Sequence, residues 1–204
     1  MARLLAARPH VLCVIGGGPA TAEHDLPYRA SFAAWGVPVE AHLGTVKDTT
    51  PELPLSVAVG VWLLRRALDA GRGSGRPTGW RVVTVAGTAP ADACARLGTQ
   101  LVHGTPVALL VLGDGSACRT LKAPGYLDPR AEPFDAAVTK ALETADPAAL
   151  LALDPVLADE LLVAGRAPWQ VLAGAATGTP LRGERLYDGA PYGVQYTVAT
   201  WTPE

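Results

Sequence analysis

The stretch PVALLVLGDGSACRTLKAPGYLDPR, residues 106–130, passes from an apolar run into a cluster of polar and small residues. Six consecutive apolar residues, 107–112, predict a strand that is buried on both faces. The polar side chains begin where this strand ends, and in open α/β sheets the carboxyl ends of the parallel strands bind ligands. We therefore predict a ligand site there, with five binding candidates: Asp114, Ser116, Arg119, Lys122 and Tyr126.

The same segment has a structural interpretation. Gly113-Asp114-Gly115-Ser116 is ordinary turn sequence, because glycine adopts positive φ and Asp and Ser side chains bond to nearby backbone N–H groups. In this interpretation Arg119 bridges Asp114 or Asp128 and locks the loop. A nucleophilic role for Ser116 or Cys118 is a further alternative, but the Gly-x-Ser-x-Gly pattern of a nucleophile elbow is not met, and a small apolar role in the core also suits Cys118.

Apolar periodicity predicts the fold class. Strands are predicted at 11–15, 37–43, 80–86 and 107–112, with helices at 2–8, 53–70 and 90–101. Helices follow at 134–144, 147–153, 155–164 and 168–176, and strands at 181–187 and 192–201 form an antiparallel pair at one edge. We predict a three-layer α/β fold with a mostly parallel mixed sheet, helices on both faces and a C-terminal antiparallel hairpin.

Smaller features complete the prediction. Asp146-Pro147 and Asp154-Pro155 have the residue types of an N-cap followed by the first helical position. Residues 16–19, Gly-Gly-Gly-Pro, loosely resemble a phosphate-binding turn, although the third glycine of GxGxxG is replaced by Thr21. Residues 29–35 predict a short helix, and 71–79 a flexible surface loop.

Composition limits the function. A chain of 204 residues predicts one domain, 1–204, and a net charge of −2 without a basic cluster argues against nucleic acid and membrane surfaces as partners. No apolar run approaches the roughly 18 residues of a membrane span. Cys13, Cys94 and Cys118 lack CxxC spacing, so neither a disulfide framework nor a structural zinc site is expected, and a reducing cytoplasm suits them.

Three motifs resemble a known family: GDGSACR at 113–119, KAPGYLDPRAEPFD at 122–135 and APYGVQYTVATW at 190–201. They resemble the class III extradiol dioxygenase catalytic-subunit (LigB-type) superfamily, which also contains the MEMO-like proteins, and most closely a branch from high-GC bacteria. The likeness covers nearly the whole chain. It implies the same α/β fold and the iron(II)-dependent ring opening of catechol-type aromatics, with iron held by two histidines and one carboxylate.

The sequence departs from that family at its catalytic positions. The resemblance implies a first strand carrying a His-x-Pro ligand, whereas this sequence begins within the following helix. The family's proton-transfer histidine is replaced by Ala117. The remaining candidate metal ligands are His24, His42 and Glu184, with Asp188 as an alternative carboxylate.

We therefore expect a dioxygenase-like protein with incomplete catalytic residues. The alternative is a non-catalytic protein with the same fold that binds a small aromatic or anionic molecule, or an interaction partner. Loss of the first strand would expose a sheet edge, which predicts a homo-oligomer.

Overall fold

The computed structural model describes residues 1–71, 77–104 and 106–204. Its internal contacts divide the chain into two compact units. The first unit comprises Met1–Gly87 and Val102–Leu112, and the second comprises Thr88–Leu101 and Gly113–Glu204. Helices combine with a mixed sheet and a C-terminal antiparallel hairpin, so the predicted α/β class is confirmed. The assignment of 1–204 to a single domain stays a prediction.

The first unit is built on a four-stranded sheet. Its elements are α1 (Ala2–Ala6), β1 (Val11–Gly18), β2 (Ala22–His24), β3 (Tyr28–Ser31), β4 (Glu40–Leu43), α2 (Leu55–Asp69), β5 (Gly79–Ala86) and β6 (Val107–Val111). The strand order is β2-β5-β1-β6, in which β1 lies parallel to both neighbours and β2 pairs antiparallel with β5. The strands β3 and β4 form a separate antiparallel pair.

The core of the first unit lies between the central strand and α2. Leu12 and Val14 of β1 are buried, as are Val57, Val61 and Leu64, which recur at helical spacing along α2. The periodicity that predicted this helix is therefore the periodicity of its buried face.

Several predictions for the first unit were wrong in detail. The predicted strand at 107–112 is present as β6, but it is partly exposed at every residue, because among the described strands it lies at the end of its sheet, beside β1. Residues predicted as a helix from Arg29 form β3 and a 3-10 turn at Ala33–Trp35, since pairing with β4 overrides local propensity. β2 lies in a stretch predicted to be irregular. The predicted loop at 71–79 falls largely on 72–76, outside the described residues.

The second unit contains helices and a separate hairpin. Its elements are α3 (Ala91–Val102, up to Leu101 in this unit), α4 (Ala131–Thr144), α5 (Pro147–Leu151), α6 (Pro155–Glu160), α7 (Arg166–Ala176), β7 (Leu181–Gly189) and β8 (Tyr196–Pro203). β7 and β8 form their own two-stranded sheet and do not extend the four-stranded one, which corrects the predicted placement at its edge.

Two local predictions for the helices are confirmed. Asp146 accepts a hydrogen bond from the Ala149 N–H at 3.0 Å, and Asp154 accepts one from the Val156 N–H at 2.8 Å, so both aspartates cap the helices that follow.

α3 and α7 cross at glycine residues. A Cβ on Gly98 would meet the carbonyl oxygen of Val171, and one on Gly174 would meet Ala95. The Thr99 hydroxyl donates to the Gly174 carbonyl at 3.2 Å. The backbones thus approach each other at a distance that leaves no room for a side chain.

Candidate functional site

The polar segment after β6 is fastened by its backbone to the residues that precede β8. The Gly115 N–H donates to the Gln195 carbonyl at 2.8 Å, and the Gln195 N–H donates to the Ser116 carbonyl at 2.9 Å. The Arg119 N–H donates to the Gly193 carbonyl at 3.1 Å. These contacts, between parts of the sequence about 80 residues apart, lie entirely within the second unit.

A buried carboxylate of α4 holds the same segment. Asp135 is 1% exposed, and its two oxygens accept the Ser116 N–H at 2.8 Å and the Ser116 hydroxyl at 2.5 Å. A buried carboxylate is stable when its oxygens are hydrogen-bonded, so Ser116 serves as the donor that Asp135 requires. The Ser116 hydroxyl is fully buried and is engaged in this contact.

Arg119 joins this carboxylate to the hairpin. Its Nη1 donates to Gln195 Oε1 at 2.9 Å and lies 3.4 Å from Asp135 Oδ2. The Gln195 amide in turn donates to Asp188 Oδ1 at 2.5 Å. We call this set the Asp135 network; its members are Ser116, Arg119, Asp135, Asp188 and Gln195.

The Asp135 network corrects the proposed structural lock. Arg119 was predicted to bridge Asp114 or Asp128, but its acidic contacts are Asp135 and, at 3.5 Å, Glu132. Asp128 pairs with Arg130, whose hydrogen bond lowers the pKa of the Asp128 carboxyl.

Asp114 lies at the exposed side of the segment. Within the described residues its carboxylate has no hydrogen-bond or ion-pair partner, while its carbonyl accepts the Gly165 N–H at 2.9 Å. Surrounding protein atoms partly desolvate the carboxyl and raise its pKa. Desolvation and, secondarily, the Asp114 charge raise the pKa of Tyr196.

Lys122 lies at a pocket in the second unit. The pocket has a volume of about 570 Å³ and is lined by Thr120, Leu121, Lys122, Ala190, Tyr192 and Gly193. Lys122 forms no ion pair with any described residue, and Tyr192 is 94% exposed. A Cβ on Gly193 would meet Ala123 and the Thr120 hydroxyl, so this glycine permits the close approach of the two pocket walls. We call this the Lys122 pocket.

The remaining ligand candidate, Tyr126, is exposed and does not line the Lys122 pocket. The predicted ligand residues therefore fall into separate environments. Lys122 lines a pocket, Ser116 and Arg119 belong to the Asp135 network, and Asp114 is close enough to Tyr196 for its charge to act there. That these five residues bind a ligand stays a prediction.

The predicted metal ligands have other partners. His24 Nε2 is 3.0 Å from the Thr84 hydroxyl, and His42 Nε2 is 3.2 Å from a Glu40 oxygen. Glu184 lies on β7, opposite Thr200 of β8. Throughout the described ranges, no group of three or more His, Cys, Asp or Glu side chains is placed to hold a metal ion. These residues do not fit the two-histidine, one-carboxylate arrangement, and we derive no step through iron.

Cys118 is a buried thiol of the same segment. Its Sγ donates to the Leu161 carbonyl at 3.5 Å, and desolvation raises its pKa, with Asp128 and Asp135 adding to the shift. Since the thiolate is the nucleophilic form, this environment opposes nucleophilic chemistry.

The glycine-rich stretch that loosely resembled a phosphate-binding turn is part of β1. Residues 16–18 pair in register with Thr84, Val85 and Ala86 of β5. The Ser56 hydroxyl donates to the Gly17 carbonyl, and a Cβ on Gly16 would meet Ser56. Close packing against α2 accounts for glycine at Gly16.

No transmembrane candidate was found among the described helices, none of which is long and apolar enough to cross a bilayer. No family model and no curated protein matches this sequence. The likeness to class III extradiol dioxygenases stays a prediction carried by the three motifs.

Sequence reasoning did not identify Asp135 or Gln195. A signal for Asp135 was present, because Asp135 and Thr139 occupy positions i and i+4 on the apolar face of α4, beside Phe134, Val138 and Leu142. A polar pair on a buried helix face requires buried partners. Gln195 carried no comparable signal, since it lies in a short link before β8.

Proposed function

We propose that this chain is a class III extradiol dioxygenase-like protein that binds a small aromatic carboxylate without turning it over, and that it binds it in the Lys122 pocket. The observation that carries the binding proposal is an exposed, unpaired ammonium group beside an exposed aromatic ring, within one pocket of the described chain. The placement among dioxygenase-like proteins rests on the sequence motifs.

The charge of Lys122 favours an anionic ligand. Ion pairs engage other exposed charged side chains of the second unit, such as Arg130 with Asp128 and Glu160. Lys122 has no such partner among the described residues, so a ligand carboxylate would not have to displace one. The Thr120 hydroxyl is a second polar group in the lining.

The rest of the lining favours an aromatic body on that anion. Tyr192 and Leu121 are exposed large apolar side chains, and Ala190 adds further apolar surface. A ring stacked on Tyr192 removes apolar area from water, which stabilises by about 25 cal/mol per Å². A volume of about 570 Å³ suits a small molecule.

Two further properties belong to the proposal. A homo-oligomer is part of the proposal, since open sheet edges pair readily with a second chain. A reducing, cytoplasmic setting agrees with three free cysteines, all buried.

Reductive methylation with ¹³C-formaldehyde tests the binding site, because the chain has only three lysines, Lys47, Lys122 and Lys140. Titration with benzoate should shift the dimethyl signal of Lys122 and leave the other two in place. Cyclohexanecarboxylate, which has the charge without the aromatic ring, should bind more weakly. Inorganic phosphate tests for general anion binding.

Matched variants assign the contacts. Lys122→Met and Tyr192→Ala should each weaken benzoate binding about tenfold, a loss of roughly 1.4 kcal/mol. Lys140→Met is the control, because Lys140 is an exposed lysine of the same unit that pairs with Glu143. Equal shifts of all three lysines, or no shift at roughly 10 mM benzoate, would contradict the proposal. Oxygen consumption with catechol-type substrates and added iron(II) would contradict the absence of turnover.

A further inference from the structure

The strand β8 has an open edge on the side away from β7. Both backbone groups of Gln195 bond to residues 115 and 116, so residue 195 faces away from β7. Backbone groups of successive strand residues point to alternate sides. By this alternation Thr197, Ala199 and Trp201 also face away from β7, and outside the β7–β8 pair none of the three makes a backbone hydrogen bond to a described residue.

This edge lacks the features that protect sheet edges. β8, with the sequence YTVATWTP, contains no charged residue, and its proline is at its last position. β7, with the sequence LRGERLYDG, contains Arg182, Glu184, Arg185 and Asp188 and is interrupted by a bulge between Arg185 and Tyr187. Charges and bulges discourage edge-to-edge pairing, so β7 is protected and β8 is not.

We infer that β8 pairs antiparallel with β8 of a second copy of this chain, in the register that places Ala199 opposite Ala199. In this register Thr197 of each copy lies opposite Trp201 of the other. Thr197, Ala199 and Trp201 of one copy then pair with the same three residues of the other copy. Roughly six hydrogen bonds satisfy all of their backbone N–H and C=O groups. No charge of β8 opposes another, since β8 has none. A continuous sheet in the order β7-β8-β8-β7 results.

The side chains of β8 also favour a second copy of the chain as the partner. Thr197 and Trp201 point toward α4, where the Thr197 hydroxyl lies 2.9 Å from that of Thr139 and the Trp201 indole donates to the Leu142 carbonyl. The alternate residues Tyr196 and Val198 are exposed. Pairing two copies places the two Val198 side chains diagonally across the new ladder, about 7–8 Å apart. The exposed apolar residues of the two copies would thus form one surface.

The inference is independent of ligand binding and is tested by sedimentation and amide exchange of the full chain. We expect a reversible dimer at roughly 10–100 µM, with the amides of Thr197, Ala199 and Trp201 protected at high concentration and exchanging rapidly on dilution. The amides of Val198 and Thr200, which face β7, should stay protected at both concentrations. A monomer throughout this range, or open-edge amides whose exchange is independent of concentration, would overturn the inference.

Substitutions locate the interface. Val198→Lys should weaken dimerisation at least tenfold, because it places two ammonium groups on diagonal positions. Leu186→Lys is the matched control, since Leu186 is 48% exposed on β7 and Val198 is 49% exposed on β8. Ala199→Cys should form a disulfide-linked dimer, because directly opposed hydrogen-bonded residues have Cα atoms about 5.5 Å apart. The native thiols are buried, and Leu186→Cys controls for random cross-linking. Equal effects at positions 186 and 198 would assign the dimer to another surface.

Discussion

Removing the Arg119 guanidinium tests whether the polar segment after β6 is a structural lock. Arg119→Met keeps much of the aliphatic stem and removes the charge and donors. Gln195 Oε1 then loses a charged donor at 2.9 Å, a contact worth about 1.5–3 kcal/mol. Asp135 loses a cation at 3.4 Å, and stranding a buried charge completely costs roughly 3–5 kcal/mol.

The cost of leaving the Asp135 charge without Arg119 is smaller than this full value. Asp135 keeps both hydrogen bonds from Ser116, and Arg119 is 21% exposed, so water partly compensates the loss. We expect a total of about 3 kcal/mol, which for a chain of this size lowers the melting temperature by roughly 6–12 °C. Urea unfolding gives the free energy, and calorimetry gives the melting temperature.

Two controls separate the lock from general damage. Arg182→Ala removes an exposed arginine of β7 and should change stability by less than about 0.5 kcal/mol. In a double-mutant cycle, Arg119→Met and Asp135→Asn should couple by at least about 1 kcal/mol, since the side chains share one network. A neutral or stabilising Arg119→Met, with no coupling, would refute the lock and favour Arg119 as a ligand residue.

Four further predictions follow from the structure. Asp114→Asn should raise the melting temperature at about pH 7. Desolvation raises the pKa of Asp114 in the folded state, so ionisation of this carboxyl destabilises the fold as pH rises through that pKa. The increase in melting temperature should vanish in acid, where the carboxyl is protonated, and calorimetry as a function of pH measures it. Gly98→Ala should cost about 1–3 kcal/mol in urea unfolding because its Cβ meets the Val171 carbonyl, whereas Gly87→Ala, which opens into free space, should be nearly neutral. Anaerobically purified protein should contain little iron, and elemental analysis should find the same content in His24→Ala; stoichiometric iron lost in that variant would contradict this. Burial raises the pKa of Cys13 to about 12, so a thiol reagent at about pH 8 should modify it only after unfolding, and stability should decline between about pH 9 and 12.

The elements that sequence predicted well are those whose signals are local. The helix α2 was predicted because its buried residues recur at helical spacing, and α5 and α6 because an aspartate cap precedes a proline. The strand β3 was missed, and β6 was predicted correctly as a strand but wrongly as buried on both faces, because both properties depend on distant strands. β3 needs β4 as its partner, and the exposure of β6 depends on its place at the end of the strand order.

The candidate site likewise combines a feature that local sequence predicts with partners that are distant in the sequence. The segment was correctly singled out as dense in polar residues, but its composition suits a ligand cradle and a structural lock equally. The choice depends on Asp135 and Gln195, which lie 16 and 76 residues from Arg119. Spacing within the segment carries no information about such partners, so the sequence of 113–130 alone suits the ligand cradle and the structural lock equally.

The Asp135 network also explains why the segment has such a distinctive sequence. The Ser116 backbone and hydroxyl both bond to one buried carboxylate, and a Cβ on Gly115 would meet Gln195 and Asp135. Each position therefore admits few residue types, since a larger residue at 115 collides and an apolar residue at 116 removes the 2.5 Å hydrogen bond to Asp135 Oδ2, leaving that oxygen only Arg119 at 3.4 Å among the described residues. A distinctive motif can thus arise from the demands of one buried charge. Lys122 has no such constraint in the described contacts, and a requirement for lysine there would have to come from a ligand.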